Sequence, residues 1–85
     1  MPNVTVYTRA FCPFCSRALS LLKGKGASVT EIDATFDAGK KQEMVDRSGR
    51  RTYPQIFIGE THVGGCEELQ ALDRQGGLDP LLEGA

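Results

Sequence analysis

Val4-Thr5-Val6-Tyr7-Thr8, then Arg9-Ala10-Phe11, then Cys12-Pro13-Phe14-Cys15 is the stretch that decides the fold. Asn3 to Thr8 alternates, with Val4 and Val6 on one face and Tyr7 following, and predicts a strand. Pro13 is tolerated in the first turn of a helix. From there Cys15, Ala18 or Leu19, and Leu22 recur at helical spacing, with Leu21 widening the stripe. Gly24 and Gly26 end that helix. The two cysteines therefore stand where a strand hands over to a helix, and a helix start favours negative charge.

Working outward, Val29 to Ile32 predicts a second strand, parallel to the first because a helix separates the two. Asp37 is an N-cap for a helix through Lys40, Lys41, Met44, Val45 and Arg47, which Gly49 stops. Gln55 to Ile58 and Thr61 to Val63 flank Gly59-Glu60, a Gly-x pair suited to a type II′ hairpin turn. Gly64-Gly65 breaks the strand, and Cys66 to Arg74 predicts a helix with Leu69 and Leu72 as apolar positions. Gly76-Gly77 ends it, and Asp79-Pro80 opens a short last helix as N-cap and N1. The order β-α-β-α-β-β-α plus a short C-terminal helix is an α/β domain with helices on both faces of a four-stranded mixed sheet. Residues 1–85 are expected to form one domain, with no repeat, linker or low-complexity segment.

The chain has 85 residues, 40% apolar and 25% charged, with net charge −1. Such a balance gives no electrostatic case for nucleic acid or an anionic membrane. No apolar run approaches the roughly 18 residues of a membrane helix. Met1-Pro2-Asn3-Val4 lacks the basic start and apolar stretch of a signal peptide. Three cysteines is an odd number, unlike a disulfide-stapled secreted domain. These points lead us to expect a cytoplasmic protein in a reducing compartment, where a Cys-x-x-Cys pair is redox-active or metal-binding.

A Cys-x-x-Cys pair after a strand in a βαβ unit reads as thioredoxin-like. Cys12 is expected exposed at the helix start, with Cys15 one turn inward and facing the core. Helix starts and nearby cations bring a cysteine pKa from about 8.5 to about 3.5–7.5, and Arg9 lies three residues before Cys12. A zinc site would need Cys12, Cys15, His62 and Cys66. Residues 16–61, which separate the two halves, make a gap far longer than zinc-finger spacing, so the redox reading is preferred and no metal is expected.

Three segments go beyond a generic thioredoxin-like pattern: Cys12-Pro13-Phe14-Cys15, Thr52-Tyr53-Pro54-Gln55-Ile56-Phe57-Ile58, and His62-Val63-Gly64-Gly65-Cys66-Glu67-Glu68-Leu69. Together they resemble the class I dithiol glutaredoxins, the small bacterial glutaredoxin 3 type in particular. The likeness runs nearly end to end, through Ser48-Gly49-Arg50 and the tail from Gly76 to Leu82. The resemblance implies a glutathione-dependent thiol–disulfide oxidoreductase with Cys12 as nucleophile and Cys15 as resolving thiol. It implies glutathione as co-substrate with no bound cofactor, disulfide-containing or glutathionylated proteins as partners, and a monomer. It also implies a cis Tyr53–Pro54 peptide and a glutathione site built from Phe14, Thr52, Tyr53, Pro54, Gly65, Cys66 and Glu67.

This sequence departs from the family pattern at three of those positions. Tyr53 stands where valine is usual, but the implied contact there is through backbone. Phe14 replaces a common tyrosine, keeping the ring and losing the hydroxyl. Glu67 replaces aspartate, putting the carboxylate on a longer arm.

Glutathione carries two carboxylates and an ammonium, so its site needs donors and an acceptor. The helix start at Cys66 and Glu67 offers free amides to a carboxylate, and Gly64 and Gly65 allow close approach. Arg9, Lys41 and Arg51 are the cations considered for the glycine-end carboxylate, Arg9 first because it neighbours Cys12. For each of them a solvated surface charge is the competing reading.

Among the other candidates, His62, in a strand, is read as a partly buried or surface histidine rather than a general base. Cys66 is read as a small buried apolar residue, although its helix-start position leaves glutathionylation or oxidation open. Tyr7, Phe57 and Phe36 are read as packing residues.

Two rival functions are weighed. A glutaredoxin-like thioredoxin reduced by a flavoprotein is disfavoured by Gly64-Gly65-Cys66-Glu67. A glutathione-ligated iron–sulfur cluster carrier is disfavoured by Pro13.

Overall fold

The computed structural model describes residues 2–84. Strand β1 (Val4–Thr8) leads through a short loop into α1 (Pro13–Gly24), then β2 (Val29–Asp33) and α2 (Ala38–Ser48). The hairpin β3 (Gln55–Ile58) and β4 (Thr61–Gly64) follows, then α3 (Cys66–Arg74) and α4 (Leu78–Leu82). The strands lie in the order β2-β1-β3-β4. β1 runs parallel to β2 and antiparallel to β3, and β3 is antiparallel to β4, so the sheet is mixed.

Burial follows from that order. β3 is central and buried at every position, whereas the edge strand β2 is exposed at three of its five. One face of the sheet packs Val4, Val6, Ile56 and Ile58 against Ala18 and Leu22 of α1, Leu69 of α3, and Leu78 and Leu82 of α4. Full burial of each such aliphatic side chain stabilises by about 1.5–3 kcal/mol. The other face packs Tyr7, Phe57 and Met44 of α2. There the Tyr7 hydroxyl donates to the Glu43 carboxylate and accepts from Arg47 at 2.8 Å. The Arg47 guanidinium lies 4.2 Å from the Phe57 ring centroid. Gln55, polar and fully buried, donates to the Thr52 carbonyl and hydroxyl at 3.0 Å each and pairs with His62 Nε2 at 2.8 Å. Its amide is thereby satisfied, as a buried polar group requires.

Local signals act as their chemistry dictates. The Asp37 carboxylate caps α2 through the Lys40 amide at 3.0 Å, and Gly49 closes that helix in the left-handed region at φ 72°. At the hairpin Gly59 has positive φ and Glu60 does not, which fits a type II′ turn and excludes type I′.

Two expectations are corrected. α4 starts at Leu78 with Gly77 as N-cap, so Asp79 and Pro80 lie inside its first turn. Asp79 is drawn instead to Lys25 Nζ at 2.8 Å, which also holds Asp73 at 2.8 Å. Pro80 is tolerated there because first-turn amides have no intrahelical partner. Phe36 is not a packing residue: it is 99% exposed, because it lies in the loop beyond the end of β2, past the reach of either core layer.

Candidate active site

Cys12 sits one position before α1 with extended backbone (φ −115°, ψ 98°). Its Sγ accepts the Cys15 amide proton at an N–S distance of 3.2 Å, so the cysteine itself caps the helix. Pro13 fills the first helical position, where a missing N–H costs nothing. Phe11, just before Cys12, has φ 58° and is the non-glycine residue with positive φ among the described residues. For a bulky side chain that conformation costs about 1–2 kcal/mol. It turns the chain from the end of β1 into the helix start.

The two thiols are unequal. Cys12 is half-buried and Cys15 is buried. The Cys15 pKa is pushed up to about 12, by burial first and then by its hydrogen bond and proximity to Cys12, while the Arg9 backbone and charge pull it down. Cys15 is thus held as the thiol one turn below Cys12. Cys66 is also buried, and burial pushes its thiol up as well.

The loop before β3 forms the opposite wall. The Tyr53–Pro54 peptide is cis. The Tyr53 carbonyl oxygen lies 4.0 Å from Cys12 Sγ, so this backbone runs alongside the sulfur. A cleft of about 220 Å³ continues from there, lined by Phe14, Thr52, Tyr53, Gly65, Cys66 and Glu67, together with Arg50 and Glu68. Pro54 is buried behind it. A Cβ on Gly65 would stand 3.2 Å from Glu68 Oε1 and 3.4 Å from the Pro54 carbonyl oxygen, so its tightest contact would be with the capping carboxylate.

The cations distribute less evenly. The Arg9 guanidinium stands 5.5 Å from the Tyr53 ring centroid, on the Cys12 side of the cleft. Arg51 is exposed and Lys41 lies exposed on α2, and neither lines the cleft. Arg50 does, and its Nη1 pairs with Glu68 Oε1 at 3.0 Å.

Arg50 and Glu68 line the cleft although neither is among the candidates read from the sequence. Glu68 Oε1 accepts the Gly65 amide at 2.6 Å, the return half of a capping box at the start of α3. Gly65-x-x-Glu68 is the visible trace of that box, hidden because glycine supplies no capping side chain of its own. The Gly65 amide, aided by Arg50, holds the Glu68 carboxyl below the usual carboxylate range. The stabilisation this gives is therefore present above the normal glutamate pKa and is lost as pH falls through the lowered value.

Glu68→Ala should cost about 1 kcal/mol, most of it the lost cap, because the half-exposed pair with Arg50 adds little. For a domain of this size that lowers the melting temperature by about 4–8 °C. An unchanged melting temperature would show that the cap is dispensable.

His62 takes no position in the cleft. It stacks on Phe57 with ring centroids 4.8 Å apart, and its pKa is lowered by burial and then by Arg50.

A family model described as glutaredoxin matches residues 4–63. Glutaredoxin 3 of Escherichia coli strain K12 is 54% identical over 83 residues, covering 98% of this chain and all of the relative. Glutaredoxin of Pseudomonas aeruginosa is 50% identical over 82 residues, covering 96% of this chain and 98% of the relative. Among solved structures, glutaredoxin from Brucella melitensis superposes with a TM-score of 0.84 at 55% identity, covering 96% of this chain and 89% of that one. A buckwheat glutaredoxin–glutathione complex gives 0.85 at 31% identity, covering 94% and 76%. Likeness in sequence and in backbone extends over the sheet, both cysteines of the Cys-x-x-Cys pair and the α3 start, and the chain belongs to the glutaredoxin family.

Proposed function

We propose that Cys12 is the nucleophile of this glutathione-dependent thiol–disulfide oxidoreductase and that Cys15 is its resolving thiol. The observation that carries the assignment is Cys12 Sγ at the N-cap of α1, accepting the Cys15 amide at 3.2 Å beside the cleft. The Cys12 thiolate attacks the glutathione sulfur of a mixed disulfide. The Cys12–glutathione bond forms, and the target leaves as a thiolate that takes a proton. A second glutathione, as thiolate, attacks the glutathione sulfur of the adduct, regenerating the Cys12 thiolate and releasing glutathione disulfide. One free glutathione is consumed, and it leaves joined to the glutathione that entered in the mixed disulfide, so atoms and electrons balance. With a protein disulfide, Cys12 forms the mixed disulfide, and Cys15 then attacks Cys12 Sγ to give Cys12–Cys15 and the reduced protein.

In this reading the backbone of Tyr53 pairs with the cysteinyl part of glutathione. Thr52 and Phe14 flank it. The amides of Cys66 and Glu67 at the start of α3 receive one carboxylate, and the Glu67 carboxylate faces the ammonium. Arg9 serves the other carboxylate ahead of Arg51, because Arg9 stands over Tyr53. Arg50 is already paired with Glu68.

Glutathionylated and disulfide-containing proteins are the partners, and the working form is a monomer. A reducing compartment, the cytoplasm, suits the chemistry. Among the described residues no helix is long and apolar enough to cross a membrane.

The reductant tests the reading. Protein oxidised to Cys12–Cys15 should be re-reduced by glutathione, with glutathione reductase and NADPH, at least about tenfold faster than by thioredoxin reductase and NADPH. The reverse order would make the chain a flavoprotein-dependent thioredoxin.

A further inference from the structure

Among the described residues the exposed large hydrophobic side chains are Phe11 at 102%, Phe14 at 49% and Phe36 at 99%. Isolated exposed apolar residues need no explanation, but these three share one end of the molecule. β1 and β2 are parallel neighbours with Thr8 opposite Asp33. Phe11 lies three residues past Thr8, and Phe36 three residues past Asp33. The two loops are tied by the Ala34 amide on the Thr8 carbonyl at 2.9 Å and by the Ala10 amide on Thr35 Oγ1 at 2.7 Å. Between them lies a depression of about 350 Å³ lined by Ala10, Thr35 and Phe36, with Asp33 and Asp37. Cys12 follows Phe11 directly, so the aromatic end is also the reactive end. Phe11 is held exposed in a conformation that costs energy (φ 58°), as residues at functional sites often are.

We propose that Phe11 and Phe36 form a docking surface for the polypeptide around the reacting cysteine of a protein substrate, selecting segments with an apolar residue beside that cysteine. The proposal rests on Cys12 being the nucleophile. A disulfide holds the two Cα atoms about 4.4–6.8 Å apart, and an extended chain rises about 3.3 Å per residue. The residues flanking a substrate cysteine joined to Cys12 must therefore cross this end of the molecule. An apolar side chain there covers a phenyl ring and removes it from water. An acidic one meets Asp33 and Asp37. Glutathione, seated along Tyr53 and the start of α3, uses neither Phe11 nor Phe36 in this reading, so the surface acts on the protein portion of a substrate.

The test compares glutathionylated peptides whose cysteine is flanked by leucine, serine or glutamate, with the small mixed disulfide of glutathione and 2-hydroxyethanethiol as reference. Wild type should show kcat/KM about tenfold higher for the leucine peptide than for the serine peptide, and lowest for the glutamate peptide. The double variant Phe11→Asn/Phe36→Ser should treat leucine and serine peptides alike while matching wild type on the small substrate. Asparagine tolerates the positive φ at position 11, and both side chains are exposed, so the fold is kept. Equal rates for the three peptides with wild type, or a preference that survives in the double variant, would overturn the docking surface and leave the glutathione reaction intact. Inactivity of wild type on the small mixed disulfide would overturn both. A wild-type dimer in sedimentation that the double variant dissociates would assign the surface to a second copy and also overturn the proposal.

Discussion

Cys12→Ser should lower glutathione-dependent reduction of a glutathionylated substrate by at least about 10³-fold, the scale of losing a nucleophile. Serine keeps the N-cap hydrogen bond but not the sulfur chemistry, so the fold should survive. Cys15→Ser should keep that activity within about threefold, since the one-thiol route never uses Cys15. The same variant should fail to complete reduction of a protein disulfide and should trap the mixed disulfide instead. pH separates the routes further. Cys15 is held up to about 12 by burial and by Cys12. Once Cys12 is bound in a mixed disulfide its contribution falls away and burial remains. The attacking form is the thiolate, so the dithiol route should quicken with rising pH between about 7 and 9, by up to about tenfold per unit. The one-thiol route also rises, because the second glutathione attacks as a thiolate, but it does not use Cys15, so its pH profile should be the same in Cys15→Ser as in wild type. Coupled assays with both substrates across this range measure it, and a Cys15→Ser enzyme as inactive as Cys12→Ser would end the one-thiol mechanism.

Gly64→Ala carries the largest expected effect on stability among exchanges near the site. Gly64 ends β4 at φ 114°, just after a bulge in which Val63 is the extra residue between the pairs Ile56–Gly64 and Phe57–His62. An L side chain rarely adopts that φ, at a cost of about 1–2 kcal/mol. A Cβ there would also stand 2.7 Å from Glu68 Oε1, 3.1 Å from its Cγ and 3.2 Å from its Cβ. The last two atoms are close to the α3 backbone and cannot swing away freely. Glu68 would have to leave the Gly65 amide, forfeiting about 1 kcal/mol of capping. The sum, about 2–3 kcal/mol, should appear as a lowered denaturation midpoint, with weaker glutathione binding because the cleft wall moves. Glu68→Ala is the reference. If Gly64→Ala destabilised no more than Glu68→Ala, the backbone at position 64 would be unstrained by a side chain and the argument wrong.

Features governed by neighbours in the chain were legible. The Asp37 cap, the Gly49 stop, the Gly59-Glu60 turn and the burial of Cys15 below Cys12 depend on spacings of three or four residues and on backbone preferences. What escaped depends on partners distant in the chain. Arg50 and Glu68 meet only because β3 and β4 fold between them, so no local pattern joins them. Asp79-Pro80 has the composition of a helix start, yet Lys25, at the end of α1, takes the Asp79 carboxylate and the start moves to Gly77. Phe36 reads as a core residue by its chemistry alone. Its exposure comes from the edge position of β2, which depends on strand order. Among the lone cations, closeness to Cys12 in the chain favours Arg9 over Arg51, but its place over Tyr53 depends on the fold of the loop before β3.

The cap of α1 is also the reacting atom. A thiolate at Cys12 receives the Cys15 amide more strongly than a disulfide sulfur does, since a charged acceptor makes the stronger hydrogen bond. Each oxidation therefore weakens the helix start, and each reduction restores it. Folding stability and redox equilibrium form a closed thermodynamic cycle, so whatever the cap adds to the reduced fold over the oxidised one reappears, joule for joule, as a more oxidising dithiol couple. The first turn of α1 is in this sense a transducer between conformational and electrochemical free energy.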